Sequence, residues 1–363
     1  MQTSSIHQRL QILGKAFSSV PELGISSPRD LEKWVQEELG SLDVLSSFQK
    51  RGSRWVQAVA PERLLIVGAG NLVISLWQSI LVGLILGSSL WVKPGSGTEK
   101  DLGLFLQKIP RKLRQKIEVL KRVPAELIPL ADAVVVLGSD ESIQEIQKQS
   151  HPKQRFIAYG HRTSAMWIGK LPPTEKLFDQ VAQDICIYEQ QGCLSPRWIW
   201  LSPQVDETIF SKKLGEALNR WVTLHAKLLR TNRLSPSQEA LIYELRQTHI
   251  AIGNQVIASS KNLDWTIVHD RKGMAEHTTL PRVIVIRSLS EKRIAQEFAW
   301  MSGDLSTVGV YSEMSHFLEQ TFIRWGASRF CPLGVMQHPP LNWLHDGRPS
   351  ISDLVRWVEK SKL

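Results

Sequence analysis

Cys193 sits in the stretch QQGCLSP, directly after a helix-stopping glycine and two residues before Ser195-Pro196, so its thiol belongs to a turn and not to the middle of an element. Turns expose side chains, and an exposed thiol can serve as a nucleophile or stand idle. Nucleophilic use requires its pKa, about 8.5 when unperturbed, to be lowered by a base, a cation or a helix end. No histidine lies beside it in sequence. His161, in YGHRTS, can approach only through the fold and reads equally well as a surface or core histidine. Cys186 falls within the helical pattern Val181, Ile185, Tyr188, where a small buried hydrophobe is the expected role, and Cys331 opens a proline-rich loop. Three widely separated cysteines in no metal-ligand spacing predict neither a disulfide framework nor a metal site, and suit a reducing compartment.

A second set of candidates surrounds LLIVGAGN. Gly68 and Gly70 begin a dinucleotide fingerprint, but the third glycine of G-x-G-x-x-G is replaced by Val73. A strand-to-helix turn still presents free backbone N–H groups that bind an anion. Asn71, at that turn, is either a helix cap or a carboxamide that donates to a developing oxyanion. From Lys108 to Arg122 there are seven basic residues, one acid and no aromatic. Grooves that stack nucleic-acid bases interleave aromatic side chains with the cations, so the run reads as a solvated face with some attraction for polyanionic ligands such as a coenzyme. No nucleic-acid partner is expected. The 13 Trp residues divide between strand patterns (Trp91, Trp198, Trp200, Trp265) and helix patterns (Trp34, Trp221, Trp357), which makes most of them core, and several could line an apolar channel.

The elements that must hold these groups follow from patterning. With 42% apolar and 22% charged residues in a chain of 363, disorder is excluded and two domains are expected; the formal net charge is +9. Residues 64–92 carry no charge, but glycines and polar residues divide them into strand, helix and strand, as in a parallel sheet covered on both faces, and no membrane span is expected. SPRDLEKWVQEELG predicts a helix capped by Ser27, with Pro28 first and Gly40 as its stop, within an N-terminal helical cover of residues 1–50. LADAVVVLG, SDESIQEIQKQ and RFIAYG continue the alternation after a basic helix from about Ile109, which specifies a doubly wound α/β sheet. The segment TEKLFDQVAQDICIYEQQ predicts one long helix up to Gly192; RWIWLS, WTIVHD, RVIVIRSL and STVGVYS predict strands, and ISDLVRWVEKSKL a final helix. MQTSSIHQRLQILGKAF lacks a charged start, an unbroken apolar run and a small-residue cleavage site, so a cytoplasmic location is expected.

ADAVVVLGSDESIQEI, RFIAYGHRTS, YEQQGCLSP, STVGVYS, RFCPLGVMQHPP and WLHDGRP together resemble, in order and spacing, the LuxC-type fatty acyl-CoA reductases, relatives of the aldehyde dehydrogenases, from about Arg63 to Trp357. The resemblance implies an aldehyde dehydrogenase-like α/β fold with a dinucleotide-binding domain at 51–175, a catalytic domain at 176–335 and a C-terminal segment at 336–363. It also implies reduction of a long-chain acyl-CoA to a fatty aldehyde with NADPH, through an acyl-enzyme on Cys193. By the same resemblance Asn71 helps to hold the oxyanion, Lys93 holds the adenosine ribose, and Gly138 and Ser139 form the turn beside the coenzyme. Ser96 stands where an NAD-preferring relative often has Glu, leaving room for a 2′-phosphate. The superfamily's general-base Glu has no counterpart in YGHRTS, where His161 becomes the candidate catalytic group, and the Glu that grips the nicotinamide ribose is absent from HTTLPRVIVI. Loss of the base suits a reductase that must not hydrolyse its acyl-enzyme. A homo-oligomer is expected. The alternatives are an acyl-transfer subunit fed by an acyl-protein synthetase partner and a non-catalytic aldehyde dehydrogenase-like binding protein.

Overall fold

Ser5 and Ser27 each close a capping box, with Gln8 and Asp30 respectively, and so start α1 (Ile6–Phe17) and α2 (Pro28–Leu39); Gly40 ends the second in a left-handed conformation, as its sequence predicts. The computed structural model describes residues 5–70, 73–170, 174–227, 234–260, 262–274 and 278–361. It divides the chain into two units, Met1–His161 with Pro340–Leu363, and Arg162–Pro339.

In the first unit β1 (Gln49–Arg51) and β2 (Arg54–Val59) precede the alternating run: β3 (Arg63–Val67), α3 (Ile74–Leu86), β4 (Ser89–Lys93), α4 (Glu99–Lys108), α5 (Arg111–Arg114), β5 (Ile117–Val119), β6 (Ala133–Leu137), α6 (Asp140–Lys148) and β7 (Arg155–Tyr159). The last five strands form a wholly parallel sheet in the order β5-β4-β3-β6-β7. The uncharged stretch 64–92 is therefore strand, helix and strand, with α3 buried beside α1 and α2. No described helix is long and apolar enough to cross a membrane. The basic helix expected from Ile109 is instead one helical turn and an edge strand. Pro110 interrupts α4, and Ile117 and Val119 pair along β4 while Lys116 Nζ donates to the Gly87 carbonyl.

The expected C-terminal helix is also corrected. Arg356–Lys360 forms a strand antiparallel to β2, running from Arg356 opposite Val59 to Lys360 opposite Trp55. Ile351, Leu354 and Val355, whose spacing suggested a helix, are buried in turns, where the Glu38 carboxylate accepts N–H bonds from Ser350, Ile351 and Ser352. Pairing with a distant strand outweighs the local period.

The second unit contains β8 (Thr163–Ile168), α7 (Glu175–Cys186), β9 (Pro196–Leu201), α8 (Glu207–Leu224), the helix Pro236–Ala251, β10 (Gln255–Ala258), β11 (Thr266–His269), β12 (Val283–Ser288), β13 (Leu305–Tyr311) and β14 (Arg329–Pro332). Its sheet has the order β10-β11-β12-β9-β8-β13-β14, parallel except for β10. The expected domain boundary at 175 thus moves: β8, fully buried, joins the second sheet, and residues 340–363 return to the first unit. Trp198 and Trp200 pack with Phe298, Phe322 and Trp325 on one face, and α7 and α8 cover the other. These indoles are core.

Candidate functional site

The long helix expected up to Gly192 stops at Cys186, because Tyr188, Glu189 and Gln190 adopt left-handed φ angles of 54°, 55° and 59°. Each costs a non-glycine residue roughly 1–2 kcal/mol. Buried polar bonds hold the segment against that cost. Gln190 Nε2 donates to the carbonyls of Pro196 (2.6 Å) and Val283 (2.9 Å), the Arg197 guanidinium donates to those of Gln190 and Leu280, and Glu189 pairs with buried Arg282.

The chain then turns through Gly192–Ser195, closed by the Ser195 N–H on the Gly192 carbonyl at 3.0 Å. Cys193 is half-buried on this turn, as its sequence context predicts. Its backbone is gripped from β8, where buried Ser164 donates Oγ–H to the Cys193 carbonyl (2.6 Å) while accepting the Thr307 N–H of β13 (3.2 Å). Two residues on, Gln337 Nε2 donates to Ser195 Oγ (2.7 Å) and to the Asp184 carbonyl (3.3 Å). The Asp184 carboxylate in turn accepts from the N–H groups of Gly334 (2.5 Å) and Met336 (3.1 Å). Burial pushes its pKa up to about 7, against the lowering effect of those bonds. The other two thiols are unsuited to attack, since burial raises Cys186 to about 12 and Cys331 to about 11. Cys331 lies within β14 and not in a loop.

In the first unit the candidates collect at the carboxyl ends of the parallel strands, where a doubly wound sheet binds its ligand at the point of strand-order reversal, here between β3 and β6. The Gly68-Ala69-Gly70 turn lies against Gly95 and Ser96: a Cβ on Gly95 would come within 2.0 Å of the Ala69 carbonyl oxygen, and one on Gly70 within 3.1 Å of that of Ser96. Backbone contact explains these glycines without a fingerprint. Asn71 lies outside the described residues. Gly138 and Ser139 follow β6, with Ser139 capping α6 and accepting the Ser142 N–H at 3.4 Å. His161, exposed after β7, donates its backbone N–H to Asp140 Oδ1 at 3.3 Å, so Gly138, Ser139 and His161 share one strand-end cluster.

Lys93 and Ser96 border a separate cavity of about 320 Å³, together with Gly103, Val119, Leu120 and Lys121. Gly103 interrupts α4 at a helix-propensity cost of about 1 kcal/mol, yet a Cβ there would meet nothing within 4 Å. Packing does not require the glycine. Apolar walls and two ammonium groups, beside the Glu99 carboxylate, leave room for one end of a phosphorylated dinucleotide. Among the described residues no group of His, Cys, Asp and Glu could hold a metal.

Sequence reasoning missed Ser164, Asp184, Gln337 and Lys121. Lys121 was visible only as part of the basic run, and the other three act across long sequence separations.

Residues 15–357 match the family described as acyl-CoA reductase (LuxC), so the match begins further upstream than the motif resemblance. The long-chain acyl-protein thioester reductase of Vibrio harveyi is 25% identical over 341 residues, covering 90% of this chain and 70% of that protein. The corresponding protein of Aliivibrio fischeri is 23% identical over 341 residues, with the same shares covered. Among solved structures, an aldehyde dehydrogenase from Bartonella henselae matches with a TM-score of 0.68 and 13% identity, over 100% of this chain and 88% of that one. An oxidoreductase from Marinobacter aquaeolei matches with a TM-score of 0.71 and 10% identity, over 99% and 86%. With this match over most of its length, the chain belongs to the LuxC acyl-CoA reductases, enzymes that here have the aldehyde dehydrogenase fold.

Proposed function

We propose that the protein reduces a long-chain acyl thioester to the fatty aldehyde with NADPH, through an acyl group carried on Cys193. The observation that carries this reading is the difference between its three thiols: Cys193 stands half-buried on a turn fixed by Ser164 and Gln337, while burial raises the other two. The Cys193 thiolate attacks the thioester carbonyl, the first thiol departs as its thiolate, and a new thioester remains on the protein. The backbone N–H of Cys193 and the carboxamide of Asn71 are assigned to the oxyanion, the latter by family resemblance alone. NADPH, when bound, supplies the hydride that adds to the carbonyl carbon. The tetrahedral hemithioacetal then collapses, the Cys193 sulfur leaves as thiolate, and the aldehyde is released.

Lys93 and Lys121 are assigned to the coenzyme's phosphorylated adenosine; Ser96 stands where an NAD-preferring relative often has Glu, and although Glu99 also borders the cavity, the two ammonium groups there favour NADPH over NADH. Gly138 and Ser139 are assigned to the coenzyme as well, at the start of α6. By family resemblance His161 is assigned to the neighbourhood of the superfamily's general base, and it offers no carboxylate to activate water. The names of the curated relatives favour a second source for the acyl group, a carrier protein or synthetase partner in place of free CoA.

The test is incubation with tetradecanoyl-CoA in the absence of NADPH, followed by mass spectrometry. One tetradecanoyl group is expected on Cys193, released as tetradecanal when NADPH is added, with turnover falling more than about a thousandfold in Cys193→Ala. Acylation at another residue, or none with either acyl-CoA or an acylated carrier protein, refutes the reading.

A further inference from the structure

A cavity of about 800 Å³ lies wholly within the Arg162–Pro339 unit, between the end of α7 and the last turns of α8. That volume is in the range of sites which enclose a small-molecule ligand. Ile187, Ala217, Trp221 and Leu224 supply apolar wall, and Leu224 is 80% exposed although it ends an amphipathic helix. The charged groups around the cavity are tied to one another. Arg220 donates from two nitrogens to Asp179 (3.1 and 2.7 Å), Glu189 pairs with Arg282, and His225 stacks on the Trp221 ring while its Nδ1 lies 2.8 Å from the Trp221 carbonyl. A site whose carboxylates and guanidinium are paired off and whose accessible wall is mostly apolar, with Gln183, Tyr188 and His338 completing the lining, favours hydrocarbon over a charged ligand, since burying an unpaired polar ligand group there would be penalised.

One wall involves the left-handed segment: Tyr188 and Glu189 line the cavity beside Ile187, which precedes them, and Glu189 is four residues from Cys193. Four residues of chain span at most about 14 Å. The backbone strain that precedes the thiol therefore has a second consequence, because the same reversal that presents Cys193 also shapes the apolar space. Non-glycine residues held in this conformation persist where the surroundings over-determine them, and do so most often at ligand sites.

Resting on the reading that Cys193 carries an acyl group, we infer that this cavity receives the hydrocarbon chain of that group and sets the preference for long chains. Ala217→Trp would fill its interior and Leu224→Trp would narrow its exposed mouth, the second at a position where folding is not at stake.

The experiment compares acylation of Cys193 by butanoyl-CoA and tetradecanoyl-CoA in the full chain. Wild type is expected to favour the longer chain, and each variant to lower the tetradecanoyl-to-butanoyl rate ratio at least tenfold with little change for butanoyl-CoA. An unchanged ratio in both variants overturns the inference while leaving the acyl-enzyme reading intact. In parallel, tetradecanoyl-CoA is added to Cys193→Ser and tryptophan emission recorded. A change that disappears in the Cys193→Ser, Trp221→Phe double variant supports the cavity even if no acyl group is ever found on Cys193, the result that would defeat the underlying reading alone. No Trp221-dependent change overturns the cavity as the chain's site.

Discussion

The two units place their candidate residues at opposite ends of parallel sheets. In the first, Gly68, Gly138 and His161 follow the carboxyl ends of β3, β6 and β7, and Lys93 is the last residue of β4. In the second, Ser164, Cys193 and Thr307 stand at or just before the amino ends of β8, β9 and β13. The difference is chemical. A strand-end site for a phosphorylated ligand uses helix N-termini and exposed N–H groups, which the doubly wound topology provides wherever the strand order reverses. A nucleophile must instead be held at one position, and backbone topology alone does not do that. Around Cys193, the proposed nucleophile, Ser164 of the neighbouring strand β8 does it by bonding the backbone, and Gln337 of the turn after β14 by bonding Ser195.

If the contrast is right, the largest effect after loss of the thiol itself comes from Ser164→Ala. The substitution deprives the Cys193 carbonyl of its donor and the buried Thr307 N–H of its acceptor, at a cost of about 1–3 kcal/mol in stability. Displacing a reacting atom by an ångström can cost on the order of a hundredfold in rate, so acyl transfer to Cys193 is expected to slow about a hundredfold. Affinity for NADPH should be unchanged. The rate of acylation by tetradecanoyl-CoA and a separate NADPH titration measure the two effects. Equal losses in both would abolish the distinction between the units.

A smaller effect is expected in the first unit. Lys121→Ala removes one of two ammonium groups from the 320 Å³ cavity. An exposed cation contributes modestly, so the NADPH dissociation constant should rise about fivefold, the equivalent of ~1 kcal/mol. NADH, which has no 2′-phosphate, should bind the variant and the wild type alike. If both coenzymes weaken equally, Lys121 serves the cavity wall and not the phosphate.

Legibility in the sequence depends on whether local pattern or a distant partner decides a segment's conformation. The alternating run of the first unit is readable because local rules specify it: LLIV, LWVK, VVVL and RFIAY are largely apolar runs between helices, and each is a strand of the five-stranded sheet. Gly138-Ser139 at a helix start was readable on the same grounds. Ser164 was not, because its partners lie 29 and 143 residues away and a lone serine in a buried strand has no local pattern. Tyr188, Glu189 and Gln190 defeat sequence reading differently. None is Gly or Asn, so their left-handed backbone has no compositional mark, and it is imposed by the bonds of Gln190, Arg197 and Arg282. The final strand fails for a third reason, since its apolar spacing fits a helix and only β2, about 300 residues earlier, decides otherwise.

The smallest expected effect probes how the second unit holds the turn that carries Cys193, the proposed nucleophile. Asp184 accepts two backbone N–H bonds from the 334–336 turn, and the adjacent Gln337 reaches Ser195. Its folded-state pKa of about 7 is raised above the ordinary value of 3.8, chiefly by burial. Between those two values the folded protein holds a proton that the unfolded chain has released, so this carboxyl makes stability fall as pH rises through the window and adds no slope above it. Asp184→Asn cannot ionise and loses that slope. It also directs an amide N–H₂ at one of the two N–H groups, a fixed penalty at every pH, since both oxygens of Asp184 can accept in either protonation state. The variant is therefore expected to gain on wild type as pH rises from about 4 to about 7, with the difference constant beyond. Thermal midpoints of both proteins across that range measure it. A gap that stays fixed, or that widens against the variant, would mean that Asp184 ionises like an exposed carboxylate and that the turn beneath Cys193 is held at no electrostatic cost.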